Sequence, residues 1–203
     1  MEFKGFKNGA CSFLMFISGV AVSAQKANYN DSLLAFQRQY VILHEVVKGD
    51  DKKFFRFFEV DGNYRVIALL ERINDLKGFD MNTSSGIRKK HYKYGLLTFK
   101  IKDTIQQLHV YQSAALMQQE KYRDYLFIPF GDATSGIESY GGGRYLEFYI
   151  SDIKDGRVVL DFNKAYNPYC MYASGYNCPI PPIENLLTIA IEAGEKNYAM
   201  PLH

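Results

Sequence analysis

Short turn signals constrain this chain more than any other feature of its sequence. Asp61-Gly62-Asn63, Lys102-Asp103 and Asp155-Gly156 each separate two stretches rich in Val, Ile, Leu, Phe and Tyr. Such residues suit a pleated, half-buried surface, and two- or three-residue turns with Asp, Asn and Gly join antiparallel neighbours. The pattern predicts hairpins: Lys53 to Val60 with Tyr64 to Ile73, Tyr92 to Ile101 with Gln106 to Ser113, and Tyr145 to Ile150 with Arg157 to Phe162. Tyr125 to Phe130 and Thr188 to Ala193 read as further strands, and residues 74–86 as a polar surface loop. Seven or eight strands exceed what one flat sheet accommodates. The expected fold is therefore mainly β, a curved antiparallel sheet forming a sandwich or partly open barrel, with one N-terminal α-helix. Asp31 or Ser32 can cap that helix, and Lys48-Gly49 can end it after Val47.

The N-terminus has the pattern of an export signal. Lys4 and Lys7 precede the uncharged, mostly apolar run Ala10 to Val22, and Val22-Ser23-Ala24 ends in small residues before Gln25. The run is too short for a membrane span, which needs about 20 residues. Residues 1–24 are thus expected to be a secretory signal peptide and 25–203 a single globular domain. The mature protein is expected to be periplasmic or secreted, with no membrane span.

Of 203 residues, 47% are apolar and 23% charged, a balance that fits a packed domain. Removing residues 1–24 takes Lys4 and Lys7 from the 24 basic residues and Glu2 from the 22 acidic ones, leaving 22 against 21. A net charge of +1 offers no footprint for nucleic acid. The basic run from Arg88 to Lys93 reads as a solvated loop or strand edge.

Export changes the meaning of the cysteines. Cys11 leaves with the signal, and Cys170 and Cys178 remain. An oxidising compartment favours their pairing. A zinc site wants more ligands than lie nearby, and the spacing is not that of a C-x-x-C redox motif. A disulfide is expected, with no metal and no cofactor.

The unusual chemistry gathers between residues 127 and 196. Asp132-Ala133-Thr134-Ser135-Gly136 is followed by Glu138 and by Gly143-Arg144-Tyr145. Asp161-Phe162-Asn163 leads to Ala165-Tyr166-Asn167-Pro168 and Cys170. Cys178-Pro179-Ile180-Pro181-Pro182 leads to Glu184-Asn185, and Ala193-Gly194-Glu195 closes the block. Asp132 and Thr134 can satisfy their own turn backbone or face a ligand. Arg144 can pair with Asp132, Glu138 or Asp161, or fork around a carboxylate or phosphate. Asn163, Asn167 and Asn185 can tie backbone groups together or line a polar pocket. Glu195 can join the Arg144 cluster or lie at a solvated strand end.

In this order the pieces resemble the bacterial family known as domain of unknown function 1684, over about a third of the chain. Ser139 stands where that family's pattern has Thr, and a hydroxyl is kept. The resemblance implies a shared fold and a shared polar site, and no activity.

Nucleophile-elbow, zincin, phosphate-loop and dinucleotide signatures are absent from the sequence. Ser151-Asp152-Ile153-Lys154 matches S-x-x-K by spelling alone. Of His44, His91, His109 and His203, none lies in the block, though His109 alternates within a strand and can face a pocket. The leading expectation is a binding module for a small polar or sugar-like ligand, or a glycan, held by Asp132, Thr134, Glu138, Arg144, Asp161, Asn163, Asn167, Asn185 and Glu195. One alternative is a carboxylate-dependent hydrolase using a close pair among Asp132, Glu138, Asp161 and Glu195. The other is a purely structural envelope protein.

Overall fold

A computed structural model describes residues 17–199, with side chains from residue 28 onward. Most of the expected signal peptide, residues 1–16, lies outside the described residues. The first element is a helix, α1 (Ile17–Leu43), which starts before the expected Asp31 or Ser32 cap. It also ends four residues before Val47. The Val47 N–H donates to the Nδ1 atom of His44 at 3.0 Å instead of to the Leu43 carbonyl, which stops the i→i−4 ladder.

Seven strands follow: β1 (Arg65–Arg72), β2 (Phe79–Met81), β3 (Lys89–Ile101), β4 (Thr104–Ser113), β5 (Tyr125–Phe130), β6 (Arg144–Tyr149) and β7 (Arg157–Asp161). A short helix, α2 (Ala114–Met117), links β4 to β5. The strands form one curved antiparallel sheet in the order β6-β5-β4-β3-β1-β7, a half-barrel, with β2 paired to the first residues of β3. Lys102 and Asp103, both at positive φ, make the two-residue turn between β3 and β4.

Two expected strand pairings, one expected strand and one expected loop are corrected. Lys53 to Val60 does not form a hairpin with β1, because β3 and β7 already occupy both edges of β1. That segment is a 3-10 turn (Gly49–Phe54) followed by a single bridge from Phe57 to Glu195. The Asp155-Gly156 turn does not pair β6 with β7. It folds Lys154 back on Arg157, while the turn Ile150–Asp152 carries the chain from one side of the sheet to the other. Closure comes one step later, where Tyr145 on β6 and Tyr166 beyond β7 exchange backbone hydrogen bonds at 2.9 and 3.1 Å. Thr188 to Ala193 has the apolar alternation of a strand, and Ile191 and Ala193 are buried, but side chains satisfy much of its backbone. The expected loop 74–86 contains β2.

The two faces of the sheet have different uses. Leu126, Ile128, Phe130, Leu146, Phe148, Leu108 and Val110 point into the main core with Leu97, Phe99 and Phe162. Tyr111, Phe127 and Tyr145 lie on the opposite face and cluster with Met81. The β3–β4 register slips between Lys93 and Gly95, which leaves Tyr94 as an extra residue. A one-residue slip exchanges the faces, so His91 shares the Tyr111 face while Leu97, Phe99 and Ile101 enter the core. The bulge thereby gives β3 a part in both layers.

Candidate functional site

Asp132 follows β5 and Arg144 opens β6, so the turn between these strands sets them face to face. Arg144 Nη2 donates to Asp132 Oδ2 at 2.8 Å, with both side chains fully buried. The other N–H groups of the guanidinium end run to backbone carbonyls: Ala193, Glu195 at 3.2 Å and Ile191 at 2.8 Å. Phe58 and Phe130 stack over the plane at 5.6 and 5.4 Å. Asp132 Oδ1 accepts from the Thr134 amide at 2.8 Å, the Thr134 hydroxyl at 2.7 Å and the Ile191 amide at 3.2 Å. Burial pushes the Arg144 pKa down and Asp132 opposes that shift. Gly143, at φ +83°, permits the entry to this brace, since a Cβ there would meet the Phe130 carbonyl at 2.7 Å.

Asn163 and Asn185 act as substitute peptide groups. Asn163 accepts from the Asp61 N–H at 3.0 Å and donates to the Asp61 carbonyl at 2.9 Å. Asn185 does the same for His109, at 2.8 and 2.9 Å, and donates also to Pro129 at 2.8 Å. Pro129 lacks an N–H, so β5 cannot complete its ladder to β4 there, and the Asn185 amide fills the gap. Asn167 differs. Its Nδ2 donates to the Lys196 carbonyl at 2.8 Å, but its Oδ1 is buried without a partner.

The four acidic candidates are held apart by their partners. Asp132 is tied to Arg144. Asp161 accepts from Tyr29 on α1 at 3.0 Å and from Asn163. Glu138 is half-exposed, 3.6 Å from Lys196. Glu195 is fully buried, where its carboxylate accepts from the Tyr172 hydroxyl, the Tyr40 hydroxyl at 3.1 Å and the Asn167 N–H at 2.9 Å. Burial pushes its pKa up to about 7, against those three hydrogen bonds. Its backbone carbonyl, not its carboxylate, meets Arg144. None of the four lines the cavity on the other face of the sheet.

The space for a ligand lies on the other face of the sheet. A cavity of about 1110 Å³ opens between α1, strands β3 to β6 and the loop between the cysteines. Cys170 and Cys178 are disulfide-bonded, with Cα atoms 6.2 Å apart, and Cys178 is part of the wall. Tyr40, Tyr125, Tyr145, Tyr166, Tyr169 and Tyr176 supply most of the aromatic lining. Burial, aided by Glu195 or Glu147 at three of them, raises the phenols of Tyr40, Tyr125, Tyr145 and Tyr166, so they remain neutral donors. His44 also lines the cavity. Its Nδ1 accepts from Val47, which places the proton on Nε2, and that nitrogen is buried with no partner among the described residues. Burial first, then Lys52 and Lys48, push its pKa down to about 4.

Of the residues singled out from sequence, Asn167 and Cys178 line this cavity. The binding residues named from sequence include none of the tyrosines, nor His44, His91 or Glu147, although Tyr145, Tyr166 and Tyr169 fall within the signature block. A signal for them was present: Tyr125 to Phe130 is apolar on both faces, and a strand of that kind needs cover on both. Among the described residues no three His, Cys, Asp or Glu side chains are grouped to hold a metal, and no helix is long and apolar enough to cross a membrane.

A family model described as protein of unknown function (DUF1684) matches residues 53–196. The solution NMR structure of an uncharacterised protein of Haloarcula marismortui is similar, with 30% sequence identity and a TM-score of 0.63, over 85% of this chain and 96% of that one. No curated protein matches the chain.

Proposed function

Starting from the fact that the chain belongs to the DUF1684 family of unknown function, we propose that it is an exported binding module whose ligand occupies the aromatic cavity. The observation that carries this reading is a pair of orphaned polar atoms. Asn167 Oδ1 and His44 Nε2 are buried without partners, and both residues line the cavity. A buried polar group without a hydrogen bond costs about 1–3 kcal/mol, so each of these two wall residues gains by turning its unpaired atom toward a ligand. Mostly aromatic walls with few polar groups are the usual make-up of a small-molecule site. Sugar-like rings, which present apolar faces and hydroxyls, fit the same lining.

The remaining signature residues act as a frame. Asp132, Thr134, Asn163 and Asn185 bond to backbone and to one another, as do both terminal nitrogens of Arg144, whose Nε alone is left buried without a partner. The hydrolase reading loses support because its four carboxylates are separately engaged. The disulfide supports passage through an oxidising compartment, as the N-terminal export pattern requires.

The test is a thermal-shift screen of soluble saccharides, amines and organic acids against the parent and Leu43→Trp. Leu43 lines the cavity and is 65% exposed, so the larger side chain narrows the cavity without disturbing the core. The reading expects at least one compound to raise the melting temperature of the parent and not of the variant. A screen with no stabilising compound, or equal shifts in both proteins, contradicts it.

A further inference from the structure

Two carboxylates within the tyrosine-rich wall say what kind of molecule the cavity accepts. Glu147 lies on β6 and lines the cavity. Its Oε2 accepts from the Tyr125 hydroxyl at 2.5 Å and from the Tyr166 hydroxyl at 2.7 Å. Its Oε1 has no hydrogen-bond partner among the described residues. Glu45, at the α1 side of the same cavity, accepts from the Tyr169 hydroxyl at 3.4 Å. A phenol that donates to a carboxylate gains electron density in its ring, which makes the ring face more attractive to a cation.

The rings also form a corner. Tyr145 and Tyr166 stand perpendicular with centroids 5.8 Å apart, and Tyr40 lies 6.3 Å from Tyr166 at 47°. Phe127 closes against Tyr145 at 4.7 Å. The two lysines of the lining are already engaged. Lys89 donates to the Asn177 carbonyl at 2.9 Å, and Lys164 sits 5.3 Å from the centre of the Phe36 ring. The lining thus holds two carboxylates, several electron-rich ring faces and two lysines, the lysines directed at the Asn177 carbonyl and the Phe36 ring rather than at either carboxylate.

Resting on the reading of this cavity as a ligand site, we infer that the ligand is an organic cation with an alkylated ammonium head. The head lies against Tyr40, Tyr145 and Tyr166, and Glu147 balances its charge. A bulky, weakly hydrated ammonium leaves water for such a corner at little cost, which a small inorganic cation does not. Asn167 Oδ1 then accepts a hydrogen bond from an N–H or O–H elsewhere on the ligand.

The test is a calorimetric titration of the oxidised full chain with choline and with 3,3-dimethyl-1-butanol, its neutral isostere of nearly the same shape. Binding of choline, at least about tenfold tighter than the isostere, is expected. Glu147→Gln, which keeps both tyrosine hydrogen bonds, should weaken choline by about fivefold and leave the isostere unchanged. Equal affinities for the two compounds, or no choline binding, overturn the cation assignment. The equal-affinity outcome leaves the cavity as a ligand site, and the wider screen decides that reading separately.

Discussion

Arg144 and Asp132 meet at 2.8 Å with neither side chain reaching solvent. The pair joins the start of β6 to the turn after β5, and the remaining Arg144 bonds pull in the closing segment from Ile191 to Glu195. A charge left alone in that position has no water to turn to.

Arg144→Met should therefore destabilise the protein by about 3–5 kcal/mol, and Asp132→Asn by a similar amount. The double variant should cost less than the sum, because each single change strands the partner. Urea denaturation of the four proteins gives the coupling. An additive result would mean that the two groups do not depend on each other.

Asn185 and Asn167 differ in what their amides do, and their variants should differ accordingly. Asn185→Ala strips the His109 backbone of both partners and should cost about 2–4 kcal/mol. Asn167→Ala loses one bond, to the Lys196 carbonyl, and removes an atom that already lacked a partner. It should cost about 1 kcal/mol. Thermal melts rank the two directly.

Glu195 makes stability depend on pH in a defined direction. Its pKa rises from 4.5 when unfolded to about 7 when folded, so between these values the native state holds the extra proton. Stability falls as pH rises through that window, by about 3 kcal/mol in total. His44, lowered to about 4, works the other way: stability is lost as pH falls from 6.5 toward 4. The two slopes oppose each other between about 4.5 and 6.5. Glu195→Gln removes only the first, so its stability relative to the parent should climb across pH 4.5 to 7. A constant difference over that range would show that Glu195 titrates normally.

The bond between Cys170 and Cys178 closes a loop with a sequence separation of 8. A loop of that size stabilises by about 2–3 kcal/mol through the unfolded chain. Cys170→Ser/Cys178→Ser should lose that much in denaturation measurements. It should also weaken any ligand, since Gly175, Tyr176 and Asn177 of the loop line the cavity.

Local signals located strands well and partners poorly. Lys102-Asp103 carries its own geometry, so the β3–β4 hairpin follows from the residues alone. Asp155-Gly156 looks equivalent, yet the chain crosses to the other side of the sheet just before it. Nothing within a few residues records which edge of β1 is free. Ile189, Ile191 and Ala193 alternate like a strand because they face the core, while the bonds that replace a ladder come from Asp132 and Arg144, some fifty residues upstream. The site divides in the same way. Glycines, asparagines and charges in the signature block stand out because a tight frame needs unusual residues. The cavity draws its tyrosines from α1, β5, β6 and the loops after β7, and nothing local to Tyr40, Tyr125, Tyr145 or Tyr166 records that the fold brings them to one wall.

The cavity binds ligand and the Arg144–Asp132 frame supports it. Side-chain amide signals of the asparagines test it most directly, in a nitrogen-15 NMR titration with choline. The Asn167 amide should shift with ligand while those of Asn163 and Asn185 stay in place. Shifts at Asn163 or Asn185, with Asn167 unmoved, would contradict it.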